Sequence, residues 1–476
     1  MQQTKTGKSI LWSFVDRLST QGIQFVLSII IARKLMPEDY GLVAMLSIFL
    51  AIAQTFVDSG FSNALIQKQD RTSLDCTTVF YFNVVISLLL YFILVWCAPL
   101  IAAFYNEAIL DEIIVWSGLS LIINSLSTVQ QSLLIIELNF RKQAIITIIA
   151  VILSGFTGVF LAYMNCGVWS LVTQTLMYNS ISCILLWITS KWHPSFNFSI
   201  KSFRELFFFG SKILGSRLLH TIYMNLYSLI IGKYYTATDL GLFNKSNTIA
   251  SNFTSNPVNI IQRVAYPIEC QLQNDNKALE EKFLIFLRMT CFLIFPVCIL
   301  LFVLADPFVQ IILTPKWIES VPYIKIIGVS YILYPLMTMN TELLNAKHRS
   351  DYSFYAEIWK KIISIIILFL TLPMGVKYMC YGLFIYQFVD VFIITRYTSK
   401  VIGSLTMTRE MRILFPIFVI AVIAVSPILF FYILKFSDPF ILFVGGTFSI
   451  LLYIFLSYIT KREELLVLFN FLKSLK

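Results

Sequence analysis

Charged residues are scarce in this sequence. They make up 13% of its 476 residues, about half of the quarter that soluble proteins use to cover their surface. The hydrophobic fraction is 58%, and apolar runs of about 18 residues or more recur along the chain, each long enough to cross about 30 Å of hydrocarbon. The alternating pattern of a membrane β-barrel is absent. Because backbone polar groups in lipid must pair within the protein, these runs predict an all-α integral membrane protein.

Long polar segments are lacking as well. The longest connections between apolar runs, at about 190–207 and 266–283, leave no room for a soluble catalytic or nucleotide-binding domain. The net charge of +10 is spread over short connections and not gathered in a basic domain, so we expect no nucleic-acid partner. The eight cysteines fall mostly in apolar runs without metal-ligand spacing, which favours buried apolar roles over a metal site.

The hydropathy pattern predicts about fourteen transmembrane helices. The first apolar segment, at about 10–31, is longer than the core of a signal peptide, and we expect it to be retained. Lysine and arginine concentrate in alternate connections, which places both termini in the cytoplasm. The tail from 461 to 476 alternates apolar and basic residues, as an interfacial amphipathic helix does. The predicted spans are 9–32, 40–66, 76–104, 112–137, 144–163, 167–189, 208–232, 240–265, 284–312, 321–345, 354–375, 378–398, 411–434 and 438–459.

The sequence repeats itself after about 200 residues, most clearly where residues 28–42 match residues 228–242. Asp39 and Gly41 in the first copy correspond to Asp239 and Gly241 in the second. Six predicted helices separate the copies, so the two lobes have the same orientation, as in transporters whose substrate cavity lies between parallel repeats. Two weaker echoes follow in the same order, pairing 118–120 with 328–330 and 166–167 with 381–382.

The repeat predicts three parts. Residues 1–200 form an N-terminal six-helix lobe, and residues 201–402 form a pseudo-symmetric second lobe. Residues 403–476 add two further transmembrane helices and the amphipathic cytoplasmic tail.

Two arginines occupy matching positions in the lobes. Arg17 and Arg217 are related by the repeat, and each lies inside a predicted span. An ionisable side chain in a span is costly, so each is a functional candidate. Two guanidiniums at matched depth can clamp a diphosphate, since arginine pairs bidentately with phosphate oxygens. The alternatives are that the side chains snorkel to the headgroups, or that Asp16 balances Arg17.

Other ionisable residues also lie within spans. Asp58 and Asp390 are carboxylates deep in the second and twelfth spans, and a buried carboxylate without a fixed partner takes up a proton or a cation. Either could couple transport to an ion gradient, or form a structural salt bridge with a neighbouring helix. Lys360 either adds positive charge to the cavity or pairs with Glu357, three residues earlier on the same helix.

Three segments carry a family resemblance. Arg33-Lys-Leu-Met-Pro-Glu-Asp-Tyr-Gly-Leu-Val-Ala-Met45 and the segment from Asp58 to Gln67 resemble the Wzx-type polysaccharide flippases. Within them the chain is most similar to the branch that contains colanic acid and teichuronic acid exporters. The segment from Asp239 to Lys245 is similar to the family's marker in the second lobe.

The resemblance implies the multidrug/oligosaccharidyl-lipid/polysaccharide exporter fold, with two six-helix bundles in a V. It implies alternating-access transport of an undecaprenyl-diphosphate-linked oligosaccharide across a bacterial inner membrane, for lipopolysaccharide O-antigen or a similar cell-surface polysaccharide. Arg17 and Arg217 match the cationic cavity residues of such flippases in type and location. The implied partners are this lipid-linked oligosaccharide, membrane lipids and a polysaccharide polymerase.

Transport of this kind makes and breaks no bond, so we expect no catalytic residue and no cofactor, with a proton or sodium gradient as the possible driving force. The nearest alternative is a multidrug or organic-cation antiporter of the same fold, whose cavity should be acidic or aromatic. A lipid-linked glycosyltransferase or polymerase would need large outer loops, which the sequence lacks. A purely structural assembly subunit would leave the matched arginines unexplained.

Overall fold

The computed structural model describes residues 20–58, 61–462 and 464–465. In this part of the chain the regular structure is helical, and ten helices are long and apolar enough to cross a membrane. The predicted all-α membrane class is therefore confirmed, and the chain is a multi-pass membrane protein. Arg17 and most of the predicted amphipathic tail lie outside the described residues.

The helices follow one another through short connections. The first nine are α1 (described over Thr20–Ala32), α2 (Pro37–Asp58), α3 (Phe61–Gln67), α4 (Ser73–Tyr105), α5 (Ile109–Ile136), α6 (Phe140–Tyr163), α7 (Trp169–Thr189), α8 (Ile200–Tyr234) and α9 (Ala237–Gln271). The others are α10 (Asn276–Val303), α11 (Ala305–Phe308), α12 (Val321–Ser330), α13 (Tyr334–Ala346), α14 (Ser350–Thr371), α15 (Val376–Val401), α16 (Met407–Val425), α17 (Pro427–Ile433) and α18 (Gly446–Ile459).

Each of the predicted spans overlaps at least one of these helices, but only ten helical segments of the described chain meet the length and hydropathy expected of a membrane span. Three of the ten are continuous stretches that join or extend the helices named above, namely Pro315–Ala346, Met407–Ile433 and Phe440–Ile459. The count of fourteen therefore stays a prediction. Outside these ten, α8, α9 and α14 are long helices that carry ionisable residues within them, including Arg217, Lys245 and Lys360. Polar residues in such helices require a partner in the protein or a water-filled surface.

The chain divides into two compact units, Met1–Gly241 and Leu242–Lys476. The first unit includes α8, which packs along α2. The repeat predicts lobe boundaries at 200 and 402 from sequence similarity, whereas the two units are defined by contacts within the structure. The two divisions measure different things, so the lobe boundaries stay a prediction.

Two glycines of the repeat meet at the start of α2 and of α9. A Cβ atom on Gly41 would lie 1.7 Å from the carbonyl oxygen of Ala237, and a Cβ on Gly241 would lie 1.8 Å from that of Pro37. Any side chain at either position would therefore collide with the backbone of the other helix. This mutual contact gives a physical reason for the same glycine in both copies.

The aspartates of the repeat hold the same turn in each copy. Asp39 Oδ2 accepts a hydrogen bond from the backbone N–H of Met36 at 2.9 Å. Asp239 Oδ2 accepts one from the backbone N–H of Thr236 at 3.3 Å and a second from the hydroxyl of the same residue at 2.7 Å. An acidic side chain in the first turn also suits the positive end of the helix dipole. The repeated motif thus shapes two helix starts.

The core of the second unit is built from α10, α13, α15, α16 and α18. Phe283, Met339, Ile417 and Tyr453 are among its buried residues. The Tyr453 hydroxyl donates to the backbone carbonyl of Phe292 at 2.9 Å. The helices beyond the repeat therefore pack into the second unit.

Candidate functional site

A row of polar side chains lies along the contact between α2 and α8 in the first unit. The hydroxyl of Ser47 donates to Asn225 Oδ1 at 3.4 Å, and the hydroxyls of Thr55 and Thr221 are 3.1 Å apart. The two helices run antiparallel here, since higher numbers on α2 meet lower numbers on α8. Spacings of four and eight residues keep each set on one helix face. We call this row the polar seam.

Asp58 and Arg217 lie at one end of the polar seam. Asp58 Oδ1 accepts a hydrogen bond from Gln54 Nε2 at 2.9 Å, and Gln54 Oε1 accepts one from Asn124 Nδ2 of α5 at 3.3 Å. The exposed Arg217 guanidinium interacts electrostatically with Asp58. The structure thus brings a predicted substrate-binding residue close to a predicted ion-coupling residue. Both roles stay predictions.

An apolar groove lies beside the polar seam. Its volume is about 530 Å³, and side chains of α2, α4 and α8 form its walls. Phe49 and Phe56 contribute from α2, Leu94 and Ile101 from α4, and Leu229 from α8. One pair of helices therefore presents a polar row and an apolar surface next to each other.

Lys360 and Asp390 form a buried ion pair in the second unit. Lys360 Nζ on α14 lies 2.9 Å from Asp390 Oδ1 on α15, and both side chains are 2% exposed. The same ammonium lies 2.7 Å from Glu357 Oε1, a carboxylate that is 45% exposed. Close helix packing permits this contact, because a Cβ on Gly382 would already lie 2.9 Å from Ile367 Cγ2.

This geometry matches the salt-bridge alternative considered for both residues. The removal of either partner would leave an uncompensated charge in a dry interior. The predicted roles of Lys360 in substrate binding and of Asp390 in ion coupling stay predictions, and the ion pair limits both. Each charge is already compensated by the other, so a substrate or an ion would have to compete with that contact.

Two buried carboxylates are missing from the sequence-based candidates. Glu269 at the end of α9 is fully buried, and within the described chain neither of its carboxylate oxygens has a hydrogen-bond partner. The carboxylate of Glu342 on α13 interacts with it electrostatically. Glu410 at the start of α16 is also buried and accepts a hydrogen bond from Asn340 Nδ2 at 3.0 Å. Both glutamates lie just outside the predicted spans, where acidic residues are expected to be solvated.

Metal ligation has no support in the described residues. No three histidine, cysteine, aspartate or glutamate side chains among them are grouped so as to hold an ion.

Comparison with known proteins identifies the family. Residues 30–322 match the model of the family described as "Polysaccharide biosynthesis protein". The teichuronic acid biosynthesis protein TuaB of Bacillus subtilis is 30% identical over 306 residues, which are 64% of this chain and 63% of TuaB. The succinoglycan biosynthesis transport protein ExoT of Rhizobium meliloti is 25% identical over 332 residues, 70% of this chain and 67% of ExoT. This chain thus spans less than two thirds of the length of TuaB.

The fold has a counterpart among solved structures. The lipid II flippase MurJ in its inward closed conformation superposes with a TM-score of 0.75 at 15% identity, over 95% of this chain and 99% of MurJ. The chain therefore shares the fold of MurJ, while the two six-helix bundles and their arrangement in a V stay predictions. The family model covers well over half of the sequence, so the chain belongs to the polysaccharide biosynthesis protein family.

Proposed function

We propose that this protein is a flippase that moves a lipid-diphosphate-linked oligosaccharide from the cytoplasmic to the outer leaflet of a bacterial inner membrane. The cargo would serve the assembly of a cell-surface polysaccharide. Family membership supports this proposal, as do the transport role in the name of ExoT and the lipid II flippase that shares the fold. The observation that carries it is the polar seam, with Arg217 at its end and the apolar groove beside it.

The chemistry of such a cargo suits these two surfaces. A sugar-diphosphate head cannot cross hydrocarbon unaided, because its charges and hydroxyls would lose their water partners. A guanidinium binds phosphate oxygens bidentately, which suits Arg217 to the diphosphate. The lipid tail needs an apolar path, which the groove between α2, α4 and α8 offers.

The proximity of Asp58 to Arg217 suggests how binding of the cargo is coupled to binding of an ion. A diphosphate that binds Arg217 competes with Asp58 for the same positive charge. The carboxylate, held by Gln54 in a half-buried position, is then stabilised by a proton or a sodium ion. Asp390 is the second candidate for ion coupling, and an ion would have to compete with its contact to Lys360.

Several finer features belong to the same proposal. The lipid would be an undecaprenyl diphosphate, and a polysaccharide polymerase would take the product. Both termini would be cytoplasmic, in agreement with the clusters of lysine and arginine in alternate connections. The protein would act as a transporter and not as an enzyme.

A multidrug or organic-cation antiporter of the same fold is the alternative. Its substrates are cations, so its seam should present acidic or aromatic side chains to them. The Arg217 guanidinium, exposed at the end of the polar seam, is of the wrong sign for that role.

The test is the accumulation of lipid-linked oligosaccharide on the cytoplasmic face of cells whose own copy is replaced by Arg217→Ala. We expect accumulation at an unchanged amount of protein in the membrane, and partial recovery in Arg217→Lys, which keeps the charge but not the bidentate geometry. Arg204→Ala, which removes another exposed arginine of α8, is the matched control. Normal flipping by Arg217→Ala would exclude the diphosphate contact and reopen the antiporter alternative.

A further inference from the structure

A second cavity of the first unit lies away from the polar seam, where the α3–α4 and α5–α6 connections meet the end of α7. Its volume is about 430 Å³. Arg71, Lys142 and Lys191 line it, and Glu137 is the single carboxylate among its lining residues. Three cations against one anion make it an electropositive site. We call it the basic cavity.

The start of α4 borders this cavity. The hydroxyl of Thr72 accepts a hydrogen bond from the backbone N–H of Asp75 at 3.2 Å, and the Asp75 carboxylate accepts one from the N–H of Thr72 at 2.8 Å. This capping box fixes the first turn of a 33-residue helix, and its carboxylate compensates the partial positive charge of the helix end. Trp192 Nε1 donates to the hydroxyl of Ser73 at 3.2 Å, so that the segment after α7 is joined to the start of α4.

Gln130 lies in the wall of the basic cavity without a protein partner. Its side chain is 1% exposed and lines the cavity. Within the described chain neither Nε2 nor Oε1 of its amide makes a hydrogen bond. A buried amide without a partner costs free energy. A ligand acceptor in the cavity would satisfy the Nε2 donor once the buried amide turns towards it, which makes Gln130 a candidate contact besides the charges.

The basic side chains are held by backbone contacts around the cavity. Arg71 Nε donates to the carbonyl of Lys68 at 2.9 Å, which uses one of the five N–H donors of the guanidinium. Lys142 Nζ donates to the carbonyl of Thr189, so α6 and α7 are tied together. These contacts orient two of the cations towards the space between the helix ends.

We propose that the basic cavity binds a phosphate group. Three cations and a buried amide donor together suit an anion with many acceptor oxygens. Leu133, Leu134 and Leu186 also line the cavity, so one wall suits the apolar part of an amphiphile. The same chemistry is offered by the headgroup of an anionic phospholipid and by a small soluble phosphate. The apolar wall favours the phospholipid.

The position of the cavity agrees with a lipid ligand. Its cations belong to connections that the distribution of lysine and arginine assigns to the cytoplasmic side. That leaflet carries anionic lipids, which attract basic residues at its surface. The basic cavity shares no lining residue with the polar seam or the apolar groove. Lipid binding here is therefore separable from transport.

The experiment uses the full-length protein in nanodiscs of phosphatidylglycerol or of phosphatidylcholine, with bound lipid counted by native mass spectrometry. The double variant Arg71→Gln/Lys191→Gln removes two cations of the cavity. The control Lys277→Gln/Lys282→Gln removes two exposed lysines of α10 with the same change in net charge. We expect the cavity variant to retain phosphatidylglycerol about tenfold less well or worse, since each charged contact contributes at least about that factor, and the control to match the wild type.

A second measurement separates the two sources of phosphate. Inorganic pyrophosphate is added to the protein in detergent, and the melting temperature is followed. Protection by pyrophosphate that the cavity variant lacks, with phosphatidylglycerol retained no better than phosphatidylcholine, would assign the site to a soluble phosphate. Equal behaviour of the cavity variant and the control in both measurements would overturn the proposal.

The buried amide provides an independent check. Gln130→Met keeps the size of the side chain and removes its hydrogen-bonding groups. Because the amide has no protein partner, the ligand-free melting temperature should not fall. Phosphate binding should nevertheless weaken. Unchanged binding in Gln130→Met would contradict the assignment of this residue to the site.

Discussion

Lys360 Nζ and Asp390 Oδ1 lie 2.9 Å apart between α14 and α15, and each side chain is 2% exposed. The sequence marks these residues separately, one as a cation for the substrate and the other as a carboxylate for an ion. In the structure they are partners of each other, and Lys360 also contacts the partly exposed Glu357 at 2.7 Å. The Lys360 ammonium therefore neutralises Asp390 in the position that a coupling ion would otherwise occupy.

The first prediction concerns the stability of this pair. Lys360→Met leaves Asp390 buried without a counter-charge and should lower the free energy of unfolding by about 3–5 kcal/mol. Lys360→Met/Asp390→Leu removes both charges and should recover most of that loss, because an apolar pair of similar volume packs without a desolvation cost. Melting temperatures of the purified variants, measured in one detergent, provide the comparison.

Transport by the double variant then separates the two roles of the pair. A stable double variant that still flips its cargo would assign Lys360 and Asp390 to structure alone. A stable variant that no longer flips would support their participation in transport. If Lys360→Met were as stable as the wild type, the pair would not be dry, in contradiction to the 2% exposure.

The second prediction concerns the crossing of Gly41 and Gly241. Gly241→Ala places a methyl group 1.8 Å from the carbonyl oxygen of Pro37, so the starts of α2 and α9 must separate. We expect a loss of at least about 2–3 kcal/mol, at the upper end of the cost of overpacking, and a clear fall in membrane-inserted protein. Gly403→Ala is the control, because no atom lies within 4 Å of the added methyl group. Equal amounts of the two variants would show that the crossing is loose.

These contacts show which features of the fold and the site the sequence alone predicts and which it does not. Hydropathy predicts helices because the bilayer demands long apolar segments, and the repeat singles out Asp39 and Gly41 because both recur 200 residues later. The sequence predicts Glu357 as the possible partner of Lys360 and an unnamed neighbouring helix for Asp390, since a helical pattern does not give the rotation and register of two helices. Glu269 was missed because the ends of predicted spans are uncertain by a few residues. A carboxylate near such an end is solvated or buried according to where the span ends.

The third prediction concerns Glu269. A fully buried carboxyl group with no hydrogen-bond partner in the described chain, beside Glu342, is more stable with a proton than ionised. Glu269→Gln has nearly the same shape without charge, so at neutral pH we expect a change of less than about 1 kcal/mol in stability. Glu269→Ala also creates a cavity and should lose about 2–3 kcal/mol.

Melting temperatures at neutral pH test this comparison, with the exposed Glu281→Gln as the control for loss of a formal charge on the surface. A fall in Glu269→Gln as large as that in Glu269→Ala would mean that the ionised carboxylate has a cationic partner, and the neutral assignment would be wrong.

The last prediction concerns Asp58 and Arg217 as a coupled pair at the end of the polar seam. Asp58→Asn keeps an oxygen that can accept the hydrogen bond from Gln54 Nε2 but removes the charge that interacts with Arg217. If the cargo competes with Asp58 for the guanidinium, the aspartate matters only while the arginine is present. The effects of Asp58→Asn and Arg217→Ala on the flipping rate should therefore not add. We expect an interaction free energy of about 0.5–3 kcal/mol, the range for residues in one network.

The pair Asp58→Asn and Arg204→Ala is the control for this cycle. Its effects should be additive, because Arg204 lies thirteen residues before Arg217 on α8. Additivity in both pairs would separate the carboxylate from the phosphate contact and contradict the proposed competition.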